Sequence, residues 1–331
     1  MSPLFLSAIQ KLRPVALTAL AILAGASAFG SGAYETNPLI NPLPPLIAPV
    51  CKLGTSGVVQ APVGENDARN PLIVVSKRPS EMLSRFYLLT DLVPVPTEDS
   101  SPELVDKWKI SADPNYHEMV RRPVATAAVA MINYARSEGI DLYVHSGHRD
   151  YTTQCKVFNF KMLQEYTHNP ALVDGRPADE KIAAQRVNTR SALPGQSEHQ
   201  LGTAVDFVTY IVSANPLVNG YKLEPEMDQT PAFAWLQQNA YRFGFIMTYP
   251  KSPAGATAVN AQTGYVYEPW HWRYVGVRTA TNYQVCAAQG LTTQDYLRKL
   301  AKNPAFTCAV YSVLTAQSPQ VRTFKKLPGE L

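Results

Sequence analysis

The stretch Ser197-Glu198-His199-Gln200-Leu201-Gly202-Thr203-Ala204-Val205-Asp206 decides the reading of this chain, and Glu268-Pro269-Trp270-His271 answers it further on. Between them they supply two imidazoles and a carboxylate, His199, His271 and Asp206, as candidate metal ligands. They also leave Glu268 spare, three residues before the second imidazole. A catalytic zinc site takes three nitrogen or oxygen ligands from the protein, keeps a position open for water and sets a base beside it. Gly202 can turn the chain between His199 and Asp206, and the small Ala204 permits close packing. Val205 and Phe207 flank Asp206 as strand-like neighbours, so alternation turns the carboxylate to the opposite face.

The second motif sits in a run dense with aromatic residues: Tyr265, Tyr267, Trp270, Trp272 and Tyr274. Aromatic walls exclude water and lower the local dielectric, which strengthens a metal's pull on a bound water. A carboxylate in that setting can take the proton of the water and later hand it to a leaving amine. Read alone, the run also fits an aromatic core around one satisfied histidine. Serine or cysteine nucleophile chemistry has little to stand on, because no GxSxG or Cys/His arrangement stands out.

The 331 residues suffice for one large domain or two small ones. Charged residues are 17% of the chain and the net charge is +4. No basic run is interleaved with aromatics, which argues against a nucleic-acid partner. Lys11 and Arg13 precede an apolar run from Val15 to Ala24, then Gly25 and Ala26-Ser27-Ala28. That is the pattern of a secretory signal over residues 1–28, cleaved after Ala28. The apolar run is short for a membrane span, which needs roughly 20 residues; a membrane tether follows only if the segment stays uncleaved. The expected location is therefore periplasmic, extracellular or at the cell wall. Export makes disulfides admissible for the four cysteines. Cys286 with Cys308 is the favoured pair, leaving Cys51 and Cys155 as a second pair or as free thiols.

Residues 29–65 read as a linker punctuated by Pro38, Pro42, Pro44, Pro45, Pro49 and Pro62; a strip wrapping the domain surface is the competing reading. Arg122-Pro123 opens a helix with Val124, Ala128, Met131 and Ala135 on one face and a stop at Gly139. Ile140, Leu142 and Val144 alternate as a strand ending at Ser146-Gly147. A second helix is expected over 152–166, and a third from Thr230-Pro231 to Gly244. Strands are expected over 245–249, 264–268 and 272–275. The mixture lacks a regular βαβ rhythm, so the fold class expected is α+β: a single domain with a largely antiparallel sheet flanked by helices. The domain spans 66–300 in this reading, with 301–331 as a C-terminal extension that carries no interpretable motif.

The two long motifs, with Arg273-Tyr274-Val275-Gly276 after the second, resemble the VanY-type D-alanyl-D-alanine carboxypeptidases, zinc peptidases of bacterial cell-wall metabolism. The resemblance extends to Ser146-Gly147-His148-Arg149 with Gln154, to Asn70-Pro71-Leu72 and to Asp91-Leu92-Val93, covering about residues 70–300. It implies the hedgehog/DD-peptidase-like fold and a single zinc ion held by His199, Asp206 and His271. Glu268 would then be the general base and acid. Arg149 would hold the substrate near its scissile carbonyl or terminal carboxylate, with Gln154 and Ser197 adding hydrogen bonds to that carboxylate. The implied substrate is the peptidoglycan stem peptide, losing its terminal D-alanine. L,D-carboxypeptidase, cross-link endopeptidase and a non-catalytic wall-peptide binding module are the alternatives, and the intact Glu268 argues against the last. His148 and Asp150 depart from the family's usual Tyr and Ser. His148 is left as a ligand, a substrate contact or a space-filler. The segments 208–230 and 251–262 look long for the family and are expected to border the cleft.

Overall fold

The computed structural model describes residues 74–78, 81–85, 87–110, 117–168 and 177–308, together with the strand pair Val58–Val59. The expected signal segment, most of the Pro-rich stretch, Asn70-Pro71-Leu72 and the last residues of the chain lie outside these. Among the described residues no helix is long and apolar enough to cross a membrane.

The architecture is α+β. Its centre is a four-stranded sheet in the order β5-β6-β8-β7, formed by β5 (Tyr143–Ser146), β6 (Ala204–Val208), β8 (His271–Tyr274) and β7 (Phe245–Met247). Every neighbouring pair in it is antiparallel. Two small two-stranded sheets accompany it. One pairs β1 (Val58–Val59) with β2 (Met82–Leu83), the other β3 (Leu92–Pro94) with β4 (Met119–Arg121). The helices are α1 (Pro102–Ile110), α2 (Arg122–Ser137), α3 (Tyr151–His168), α4 (Pro177–Val187), α5 (Pro231–Asn239), α6 (Val277–Ala287) and α7 (Thr293–Lys302).

Helix α2 begins where proline at the first turn predicts, and buries Val124, Ala128, Met131, Ile132 and Ala135. That face packs on Val144, Val205, Phe207, Trp272 and Tyr274 in the main core. Strand alternation then turns Asp206 and His271 to the other side of the sheet. Helix α3 starts one residue before the expected Thr152, its first turn capped by Asp150, whose Oδ1 accepts from the Thr153 amide at 2.6 Å. The family departure at Asp150 therefore serves as a helix cap. Asp91, singled out by the resemblance, pairs through both carboxylate oxygens with Arg121 Nε at 2.9 and 3.1 Å and ties β3 to the end of β4.

The strand expected over 264–268 is not formed. Gly264 follows a turn, and Val266 and Tyr267 donate their amides to the loop carbonyls of Thr189 and Ala256 instead of a strand ladder. The expected strand over 245–249 is shorter, and the third helix ends as a 3-10 turn over Ala240–Phe243. Helices α1, α4, α6 and α7 were not anticipated. The last two close a second core with Ile246 and Val275, on the face of the sheet opposite the main core. The expected disulfide Cys286–Cys308 is present there. Cys155 is disulfide-bonded as well, against the alternative of a free thiol; Cys51 lies outside the described residues.

Candidate metal centre and active site

Pairing register builds the site. Asp206 and His271 are direct cross-strand partners on β6 and β8, and directly opposed residues project from the same face. His199 arrives from a 3-10 turn, Glu198–Leu201, immediately before β6. Gly202 ends that turn at φ 66°, and a side chain there would also run into Leu89 and Arg121. Within four residues the chain can then re-enter as a strand carrying Asp206.

His199, Asp206 and His271 are all buried, and one ligand atom from each lies within 4.8 Å of the others. Hydrogen bonds fix which nitrogens face inward. His199 Nδ1 lies 2.6 Å from the Gly147 carbonyl, leaving Nε2 towards Asp206 Oδ1 at 3.4 Å. His271 Nδ1 lies 3.2 Å from the same Asp206 oxygen, and its Nε2 lies 3.1 Å from Glu198 Oε2. Two inward nitrogens and a carboxylate oxygen, with the outer nitrogens tied to a carbonyl and a carboxylate, form the donor set of a zinc or similar divalent site.

Glu198 is a functional residue that sequence reasoning missed. It is fully buried, and Arg273 Nη1 reaches its other oxygen at 3.0 Å while Thr248 Oγ1 donates to Oε2 at 2.8 Å. Burial alone would raise its carboxyl, but Arg273 and the bond to His271 outweigh it and hold the group down to about 2. The only signal was its place beside His199. Nothing in the spacing says that this carboxylate turns inward.

Burial pulls His199 down to about 4, helped by the neighbouring Arg149, so it is neutral and ready to bind a cation. For His271, burial is outweighed by the bonds to Asp206 and Glu198, which lift it to about 10. Glu268 lies 3.9 Å from His271 Nδ1 and is 15% exposed. Burial pushes its carboxyl up to about 7, against the opposing pull of His271. A carboxyl near neutrality exchanges protons readily in both directions. Its backbone is held by the Glu268 amide on the Tyr249 carbonyl and by Trp272 Nε1 on the Pro269 carbonyl.

A cavity of about 150 Å³ connects these groups with all of the other expected site residues: Arg149, Gln154 and Ser197 line it with His199, Asp206, Glu268 and His271. Gln154 is buried, donates Nε2 to the Ala192 carbonyl at 2.6 Å and leaves Oε1 without a partner. Tyr265 and Trp270 line the cavity as walls from the expected aromatic run, and Lys161, Arg190 and Tyr249 also line it without having been anticipated. Tyr249 packs on His271 with ring centres 4.7 Å apart. His148 is not part of the ligand cluster or of the cavity lining. Of the two long segments expected to border the cleft, 208–230 contributes Leu223, whereas none of 251–262 lines this cavity.

The sequence profile of the family VanY, D-alanyl-D-alanine carboxypeptidase, matches residues 117–277. The chain is 32% identical over 233 residues to the "Putative carboxypeptidase YodJ" of Bacillus subtilis (strain 168), covering 70% of this chain and 69% of that protein. It belongs to the VanY-type carboxypeptidase family. Two solved structures are also similar. The LdcB LD-carboxypeptidase is 29% identical, with a TM-score of 0.49, covering 70% of this chain and 88% of that one. The vancomycin resistance D,D-pentapeptidase VanY, in complex with Zn(II), is 27% identical with a TM-score of 0.42, covering 69% of this chain and 98% of that one. Both long motifs of this VanY-type chain fall inside the matched region.

Proposed function

We propose that the chain is an exported zinc carboxypeptidase that removes the terminal D-alanine from peptidoglycan stem peptides. The observation that carries this reading is the convergence of His199, Asp206 and His271 with Glu268 in a cavity that also holds Arg149. The VanY family supports D-alanyl-D-alanine as the substrate end. Zinc is the ion that two imidazoles and a carboxylate suit, and it is the ion bound by the VanY relative. Export is supported by the Cys286–Cys308 disulfide and by the signal-like N-terminus.

His199, Asp206 and His271 would hold the ion, which supplies Lewis-acid polarisation of the scissile carbonyl and a bound water of lowered pKa. Glu268 accepts the proton of the attacking water and returns it to the amine of the departing D-alanine. Arg149, Gln154 and Ser197 orient the peptide end. A guanidinium fork matches a carboxylate's two oxygens, and the unpartnered Gln154 Oε1 is an acceptor for a substrate N–H. Tyr249, Tyr265 and Trp270 exclude water from the reacting centre.

The test is mass spectrometry of stem peptides incubated with zinc-loaded protein and with Glu268→Gln. Pentapeptide should lose one alanine with the wild-type protein only, the variant keeping its zinc and losing about 10²- to 10⁴-fold in turnover. Tetrapeptide converted to tripeptide would move the specificity to L,D cleavage. Peptides intact in every sample would sink the carboxypeptidase reading.

A further inference from the structure

The cavity is lined by three cations, and they differ in what neutralises them. Arg190 is spent on Glu165, with Nη2 2.6 Å from Oε2. Arg149 has no ion-pair partner among the described residues, and its Nε is buried without a hydrogen-bond acceptor. Lys161 also has no carboxylate within ion-pair distance among the described residues. Its Nζ reaches only the carbonyl of Arg190, at 3.3 Å. Burial lowers its ammonium to about 8, although Glu268, the acid it feels most, favours the charged form.

Lys161 stands seven residues after Gln154 on α3. Seven residues are close to two helical turns, so both side chains leave the helix on the same side, and both line the cavity with Arg149. Unpaired cations held half-buried in a cleft lose part of their hydration without a compensating charge. That cost is offset when an anion enters. The volume, about 150 Å³, is small beside the roughly 300–1,000 Å³ of ordinary ligand pockets. It has room for the end of a peptide and not for a length of one.

We propose that Lys161 is a specificity residue which, with Arg149, clamps the free C-terminal carboxylate of the peptide and so restricts the cleft to chain ends. The inference rests on the carboxypeptidase reading and adds a second cation to the groups expected to hold that carboxylate. The division of labour follows from the side chains. Arg149 presents a planar fork, and Lys161 a compact charge on a flexible stem that can follow the carboxylate.

The experiment compares a D-Ala-D-Ala peptide acid with its C-terminal amide on zinc-loaded full-length wild type, Lys161→Met and Lys161→Arg. Turnover and calorimetric binding are both recorded, along with zinc content. Methionine keeps most of the stem's volume and removes the charge. The expected result is a preference for acid over amide that falls about 10-fold or more in Lys161→Met. The loss should appear in KM and binding with kcat little changed, one zinc should remain per chain, and Lys161→Arg should recover part of the preference. An unchanged acid-to-amide ratio overturns the proposal, as does a fall in kcat alone. If wild type binds the acid but cleaves nothing, the carboxypeptidase reading fails while the binding ratio still decides Lys161. If wild type binds neither peptide, both fall.

Discussion

Glu198 Oε2 lies 3.1 Å from His271 Nε2, on the side of the ring away from Asp206. The same carboxylate is gripped by Arg273, two residues further along β8 on the same face of the strand. His271 is therefore held by the residue beside His199, which is itself gripped by a residue two positions from His271. The 3-10 turn and β8 are locked together behind the metal position.

From this follows the first prediction. Glu198→Gln keeps the shape but leaves Arg273 without its counter-charge and weakens the acceptor for His271. Loss of a carboxylate that orients a metal-binding histidine costs about 10- to 100-fold in metal affinity. Zinc affinity measured by chelator competition should fall by that factor, and stability should fall as well, since breaking a buried pair costs about 3–5 kcal/mol. Thr248→Val, which removes only the 2.8 Å hydroxyl bond to Glu198, should show a smaller loss of affinity. Wild-type affinity in both variants would remove the orienting role.

A second prediction concerns protons. Without metal, His271 is raised to about 10 by Asp206 and Glu198 against the effect of burial, so at pH 7 it carries a proton on the nitrogen a metal needs. His199, lowered to about 4, does not. Metal binding must therefore expel a proton from His271. The sign is fixed: affinity rises with pH, by about tenfold per unit for each proton released, from neutrality towards the His271 value. Calorimetric zinc titrations in buffers of different ionisation enthalpy should report one proton or more released at pH 7. A count of zero would contradict the His271 assignment.

The parts of the fold that were legible in the sequence are those whose signals are local. Pro123 and Gly139 bracket α2, Thr230-Pro231 opens α5, and Thr230 Oγ1 accepts from the Phe233 amide as an N-cap should. The grouping of His199, Asp206 and His271 was legible because two motifs carry them within a few residues each. The expected strand at 264–268 failed because its apolar alternation, Tyr265 and Tyr267 buried around Val266, arises in a loop packed against other loops. Helix α7 had a readable cap in Thr292, which accepts from the Asp295 amide, but its core partners Ile246 and Val275 are far away in sequence. Glu198 and Lys161 share this non-local character. Each becomes functional only when a distant element, β8 or the 190–197 loop, closes on it.

Gly147 provides the third prediction. Its carbonyl accepts from His199 Nδ1–H at 2.6 Å, and a Cβ at this position would collide with the Met119 carbonyl oxygen and lie 2.9 Å from Val120 Cγ1. Backbone on one side and a β-branched side chain on the other leave little room to give way. Gly147→Ala should displace the loop that orients His199, weakening zinc binding more than the change of one methyl elsewhere on the surface would. The check is zinc stoichiometry after dialysis beside a Gly255→Ala control, a position with nothing within 4 Å of the added Cβ but with its own φ of 118°. The control reports backbone strain without a clash, so equal zinc content in the two variants would remove the role of close packing at Gly147.

The last prediction separates stability from chemistry. Cys286 is fully buried beside Ile246, Val275 and Tyr296, and its bond to Cys308 closes a loop of 22 residues. Cross-linking a loop of that length stabilises by about 3 kcal/mol through the unfolded chain. For a domain of this size that is about 6–12 °C in Tm. The double variant Cys286→Ser, Cys308→Ser should melt lower by about that amount. His199, Asp206 and His271 share a face of the sheet with Ile246, which is paired opposite Arg273, but they sit on β6, at the start of β8 and on the 3-10 turn before β6, none of which the disulfide joins. Zinc content and turnover at 25 °C should therefore stay near wild type while the melting temperature falls. Parallel loss of zinc and thermal stability would mean that α6 and α7 do more than back the sheet, and that β8 depends on them to hold His271 in register.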